Sequence, residues 1–136
     1  MSLALRSIGR RARLAAVALL PVLAAACQSP TAARLPDRVL GAHRGGGVLE
    51  VTNATAVPVF VQVLGARTAP LALWGACVDA TVCEPIAPGA SRDVSVRLTA
   101  PDGAPETEAL VYWWHVERGA DGALRPDSIR TVVVRL

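Results

Sequence analysis

Two cysteines, Cys77 and Cys83, stand with five residues between them, Asp79 among those five. Oxidised to each other, they would close a small ring around residues 78–82, a staple that the chain-entropy account puts at about 2 kcal/mol. Reduced, they would supply half of a tetrahedral zinc site. That alternative needs two more ligands, only His43 and His115 carry imidazoles, and paired zinc cysteines usually sit closer together. The spacing is not the C-x-x-C of thiol oxidoreductases either. The densest aromatic cluster is Tyr112-Trp113-Trp114-His115. A solvent-facing tryptophan beside a titratable imidazole is suited to binding a sugar ring, a peptide or a partner protein.

Other reactive patterns are weaker. Glu106 and Glu108 are two apart and could share a face as an acid and base pair, but they sit in a proline-rich approach to a strand and read as solvated loop charges. No G-x-S-x-G is present, and a Ser-His-Asp arrangement would have to recruit His115. Asn53-Ala54-Thr55 has the form of a glycosylation acceptor and reads instead as a turn between strands. No catalytic residue and no cofactor is assigned.

The elements that would position these residues are strands. VLEVTN at Val48–Asn53, VPVFVQVL at 57–64, SRDVSVRL at 91–98, LVYWWHVE at 110–117 and IRTVVVRL at 129–136 carry β-branched and aromatic residues at strand densities. LALWG at 71–75 is a sixth candidate. The clearest alternation puts Val94, Val96 and Leu98 on one face against Asp93, Ser95 and Arg97 on the other, which predicts a half-buried strand. Alternation also splits the aromatic cluster. If Leu110, Tyr112, Trp114 and Val116 fill the core, then Trp113 and His115 point outward beside Glu117. Turn residues punctuate the runs at 53–55, 88–89, 101–103 and 121–122.

Upstream, the composition changes. Residues 28–47, QSPTAARLPDRVLGAHRGGG, lack sustained periodicity and read as a flexible tether. Before them LAAVALLPVLAAA at 14–26 follows a cationic start containing Arg6, Arg10, Arg11 and Arg13, the layout of a secretory signal. As a helix that run would span roughly 20 Å, short of a ~30 Å hydrocarbon core. The chain's formal charge of +3 rests on this leader: of 14 basic residues, all arginine, those four precede the apolar run, so ten face 11 acids beyond it, a net charge of −1. Dispersed arginines without a basic patch argue against nucleic acid as a partner.

Leu23-Ala24-Ala25-Ala26-Cys27 resembles the lipobox of bacterial lipoproteins, with Ala24 where leucine is usual. The resemblance implies cleavage after residue 26, acylation of Cys27, and a membrane anchor; Gln28 in place of aspartate implies the outer membrane, facing the periplasm or the cell surface. An ordinary signal peptidase could also use the alanine run, leaving Cys27 a free thiol. Of three cysteines one must be odd, and acylating Cys27 leaves Cys77 to pair with Cys83. Further on, Ile86-Ala87-Pro88-Gly89-Ala90-Ser91 leads into a valine-alternating strand, a loop and an aromatic strand. This pattern, over about 50 residues, resembles the middle of immunoglobulin-like or fibronectin-type bacterial domains.

The expected organisation is a signal peptide at 1–26, a lipidated N-terminus and tether at 27–47, and an all-β immunoglobulin-like sandwich of six or seven strands at 48–136. The expected role is a non-enzymatic binding or accessory module of the cell envelope, with an envelope protein or a glycan as partner. The disulfide loop with Asp79, and the face of Trp113, His115 and Glu117, are its candidate contact surfaces. A passive structural lipoprotein, an envelope hydrolase and a metal carrier are the rival readings.

Overall fold

A computed structural model describes residues 37–136. The chain there is almost entirely β: β1 (Val39–Gly45), β2 (Val48–Asn53), β3 (Phe60–Gly65), a single 3₁₀ turn (Ala69–Leu71), β4 (Ser91–Ser95), β5 (Glu108–Trp114), β6 (Val116–Arg118), β7 (Leu124–Pro126) and β8 (Arg130–Arg135). Two three-stranded antiparallel sheets, in orders β1-β2-β4 and β3-β5-β8, face each other, and β6-β7 forms a separate two-stranded ribbon. That partition is the one an immunoglobulin sandwich makes of its A, B, E and C, F, G strands, with the D strand missing. The ribbon extends the connection between the last two strands of the second sheet.

Period-two patterning builds the core. Leu49 and Val51 of β2 alternate with half-buried residues, and they meet Val63, Ala109, Val111, Trp113 and Val134 from the opposite sheet, with Val39, Val59, Ile86 and Val96 closing the ends. Asn53 continues the inward face of β2 and is fully buried, so its polar atoms must be satisfied inside. Its amide nitrogen donates to Val57 O at 2.8 Å and Ile86 O at 2.9 Å, and its oxygen accepts from Thr55 N–H at 2.8 Å. The glycosylation-like triplet is thus an internal clamp between the β2–β3 turn and the approach to β4.

Three expectations are corrected. The tether does not run to residue 47, because residues 39–45 form β1. β1 is an edge strand that buries only Val39, and its mostly exposed small and charged residues hide the periodicity. Gly45, Gly46 and Gly47, all at positive φ (96°, 59° and 77°), make the hairpin turn into β2. The segment 71–75 begins in the 3₁₀ turn at Leu71 and pairs with no strand. The run 110–117 is broken at His115 into β5 and β6. The signal peptide, Cys27 and the first part of the tether lie outside the described residues.

Candidate functional site

β5 carries the aromatic cluster, and the structure reverses its expected orientation. Ala109, Val111 and Trp113 point into the sandwich, with Trp113 only 3% exposed. Trp113 is therefore a core residue and not an outward contact; the opposite sheet covers the face expected to be free. The Arg130 guanidinium lies 4.6 Å from the Trp113 ring centre, and the His115 ring meets Trp113 edge-on at 5.6 Å.

His115 sits in the wall, where β5 ends. Its Nδ1 is 3.2 Å from Pro58 O and its Nε2 is 3.2 Å from Asp37 Oδ1. Both ring nitrogens thus face acceptors, although a neutral imidazole donates through only one. Its backbone N–H donates to Asp127 Oδ1 at 3.0 Å, and Arg130 bridges Asp127 at 3.1 Å and Asp37 at 3.9 Å. Burial pushes the Asp127 carboxyl up, but backbone N–H donors of Ser128 and His115 together with Arg130 overcome this and hold it below the usual aspartate range. Glu117 is exposed on β6. The predicted trio is therefore divided: Trp113 inside, His115 in a hydrogen-bonded wall, Glu117 outside.

The outer face of β5 is covered too. Residues beyond the 3₁₀ turn fold back over it, so that Trp74 packs on Tyr112 with ring centres 4.7 Å apart and on Trp114 at 6.1 Å, while Phe60 stacks on Trp114 at 6.3 Å. Trp114 is 2% exposed, and its Nε1–H donates to Cys77 O at 2.8 Å. Cys77 and Cys83 form a disulfide, their Cα atoms 6.3 Å apart, so neither offers a thiolate to a metal. Within the ring, Asp79 accepts from the Thr81 hydroxyl at 2.6 Å and the Thr81 N–H at 2.8 Å; the hydroxyl first, then the backbone donor, holds its carboxyl below the usual range. Toward water this loop presents apolar side chains, with Leu71 69% exposed, Leu73 wholly exposed and Val82 76% exposed, next to the exposed Asp79 and Thr81.

Sequence reasoning missed the hook that fastens the start of this loop. Glu106 is buried, not a solvated loop charge. Its carboxylate accepts from Arg67 N–H at 2.9 Å, Thr68 N–H at 2.9 Å and the Thr68 hydroxyl at 2.6 Å. Burial raises its pKa, but the Thr68 hydroxyl, the two backbone donors and the Arg67 charge together leave it below the ordinary glutamate range. Gly65 makes room for it, since a Cβ there would collide with the carboxylate. No local sequence signal marks Glu106, whose partners are 38 and 39 residues away.

Two shallow grooves are present among the described residues. One, of about 240 Å³, runs between the edges of β3 and β4 and is lined by Val63, Leu64, Gly65, Thr68, Ser95, Val96 and Arg97. The other, of about 250 Å³, lies along residues 84–92. Neither includes His115. Among the described residues no group of three or more His, Cys, Asp or Glu side chains is placed to hold a metal ion. No protein-family model, no curated protein and no solved structure matches this chain.

Proposed function

We propose that the protein is a lipid-anchored, non-enzymatic binding module of the bacterial cell envelope, held at the membrane through Cys27 and engaging an envelope partner with its disulfide loop. The observation that carries this reading is the exposure of Leu71, Leu73 and Val82 on a loop that Trp74 fixes to the aromatic platform of Tyr112 and Trp114. Exposed apolar side chains on a loop pinned to a sheet mark a contact surface, because a loop ordered before binding loses less conformational freedom on association. The absence of charge from residues 68 to 78 supports an apolar contact. Trp113 has no part in it, and His115 and Glu117 belong to a different part of the surface.

The test is site-specific photocrosslinking in the envelope, with the crosslinker placed at Leu73 and, as reference, at the exposed Thr131 of β8. A crosslinked product from Leu73 alone, lost in the Cys77→Ser/Cys83→Ser chain, is the expected outcome. Equal products from both positions, or none, would return the protein to the passive structural reading. Intact mass of the membrane-extracted protein checks the anchor: a chain beginning at Cys27 with added acyl mass is expected, and an unmodified thiol there would remove the lipid from the proposal.

A further inference from the structure

We infer that the open edge of β3 is a strand-addition site for an extended peptide segment carrying an acidic residue. This surface is separate from the disulfide loop, and the inference stands whether or not that loop engages a partner.

Backbone geometry comes first. Ala66 N–H donates to Glu108 O at 2.9 Å, and β3 and β5 pair in register from Phe60↔Trp114 to Gly65↔Ala109. Because hydrogen-bonded and non-hydrogen-bonded pairs alternate in an antiparallel ladder, Phe60, Gln62 and Leu64 share their bonds with β5. Val61, Val63 and Gly65 turn their backbone groups the other way. Gly65 O takes Thr68 N–H at 3.0 Å, whereas the N–H groups of Val61, Val63 and Gly65 meet no acceptor among the described residues. One residue pair, Val59↔Ile86, closes the start of the edge, and β3 is a sheet edge beyond it.

Edge strands are normally protected, and three of the four that bound the two three-stranded sheets are. β1 carries His43 and Arg44 and a register break between His43 and Gly45. β4 carries Arg92 and Asp93, and β8 carries Arg130 and Arg135 and lies beside β1. β3, FVQVLG, has no charge, no proline and no bulge. An unguarded edge is a template for pairing unless something occupies it. The connection from β3 to β4 adds no strand at this edge and crosses the outer face of β5 instead, as the Trp74 contacts record.

The groove along this edge names the chemistry of the occupant. Its walls include Val63 and Val96, and its one charged lining residue is Arg97, which has no ion-pair partner among the described residues. A segment that adds to β3 satisfies the three outward N–H groups through its carbonyls. It places alternate small apolar side chains against Val63 and Val96, and an acidic side chain near the Gly65 end meets Arg97.

The test uses the full chain purified from membranes and three synthetic seven-residue peptides of alternating valine and threonine that end in glutamate, glutamine or lysine. The glutamate peptide is expected to bind about tenfold more tightly than the lysine peptide. It should slow hydrogen exchange at the Val61, Val63 and Gly65 amides while leaving Gln62 and Leu64 unchanged. Arg97→Gln should erase the preference among peptides. Val61→Pro removes an outward N–H without touching the β5 ladder and should abolish binding. The same loss is expected, with no change to the protein, when the peptide is N-methylated on the amides that would face β3. Binding without alternate-residue protection, binding indifferent to N-methylation, or no binding of any peptide would overturn the inference. Self-association of the chain that Val61→Pro disrupts would overturn it in favour of a second copy at this edge.

Discussion

On its inner face β5 meets another sheet, and on its outer face it meets a loop. Val111 and Trp113 are covered by residues held in hydrogen-bonded ladders, among them Leu49, Val51 and Val134. Trp114 and Tyr112 are covered by a segment that shares no ladder with any strand and is fastened at separate points: Glu106 to Arg67 and Thr68, Trp114 to Cys77, and the disulfide. Burial of Trp113 and Trp114 is nearly equal, but its basis is not. A cover made of strands is lost only with the domain, whereas a cover made of pinned loop can open by itself.

The largest effect should come from the inner face. Trp113→Ala is expected to lower stability by about 3–5 kcal/mol, through lost burial and the cavity it leaves, and to shift the whole urea transition as one. If that variant instead unfolded in two steps, the inner cover would be as divisible as the outer. Removing the staple should do less and act locally. The Cys77→Ser/Cys83→Ser chain should lose about 2 kcal/mol, with faster amide exchange across residues 72–83 and unchanged exchange at Val111 and Trp113. Faster exchange in both places would mean that the two faces are one cooperative unit. Glu106→Ala, which strips the acceptor from Arg67 N–H and from the Thr68 hydroxyl and leaves Thr68 N–H with Gly65 O alone, should cost about 1–3 kcal/mol, read as a lowered midpoint in the same urea experiment.

Alternation along Val48–Asn53 and through Val94 and Val96 was enough to read the β class, although β4 ends at Ser95 and Leu98, expected on the inner face, is 43% exposed. The cysteine pair was readable from spacing and number. β1 was hidden because an edge strand built as VLGAHRG places one residue in the core, so composition resembles a linker. The aromatic faces were reversed for a more general reason. A rule that gives each strand one dry face cannot decide between Trp113 and Trp114 when both faces are dry, and the residues that dry the second are Phe60 and Trp74, far away in sequence. Residues 71–75 alternate exposed and half-buried as a strand would, but the chain lies across the face of a sheet and not at its edge. Side-chain period alone does not distinguish these placements. Glu106 was read as solvated because charge in a proline-rich stretch usually is, and its donors come from a turn that only the fold brings near.

That carboxylate offers the smallest and most specific way to separate the two covers. Its folded-state pKa lies below the ordinary glutamate range: burial opposes the charge, and the Thr68 hydroxyl, the Arg67 and Thr68 N–H groups and the Arg67 charge more than compensate. A depressed carboxylate pKa stabilises the fold fully above the unfolded-state value, and the contribution disappears as pH falls through the folded-state value. Glu106→Gln removes the titration while keeping the size of the side chain. The stability difference between the natural chain and this variant should therefore be constant near neutrality and shrink in acid, below the ordinary glutamate range. Asp102 and Asp127 also have lowered pKa values, and the subtraction cancels them because both chains carry them. The loss should appear first in exchange at Arg67 and Thr68, at the near end of the outer cover, with Trp113 unaffected. A pH-independent difference would mean that Glu106 is held by packing and not by its charge, leaving the disulfide and the Trp114–Cys77 bond as the fastenings of the loop.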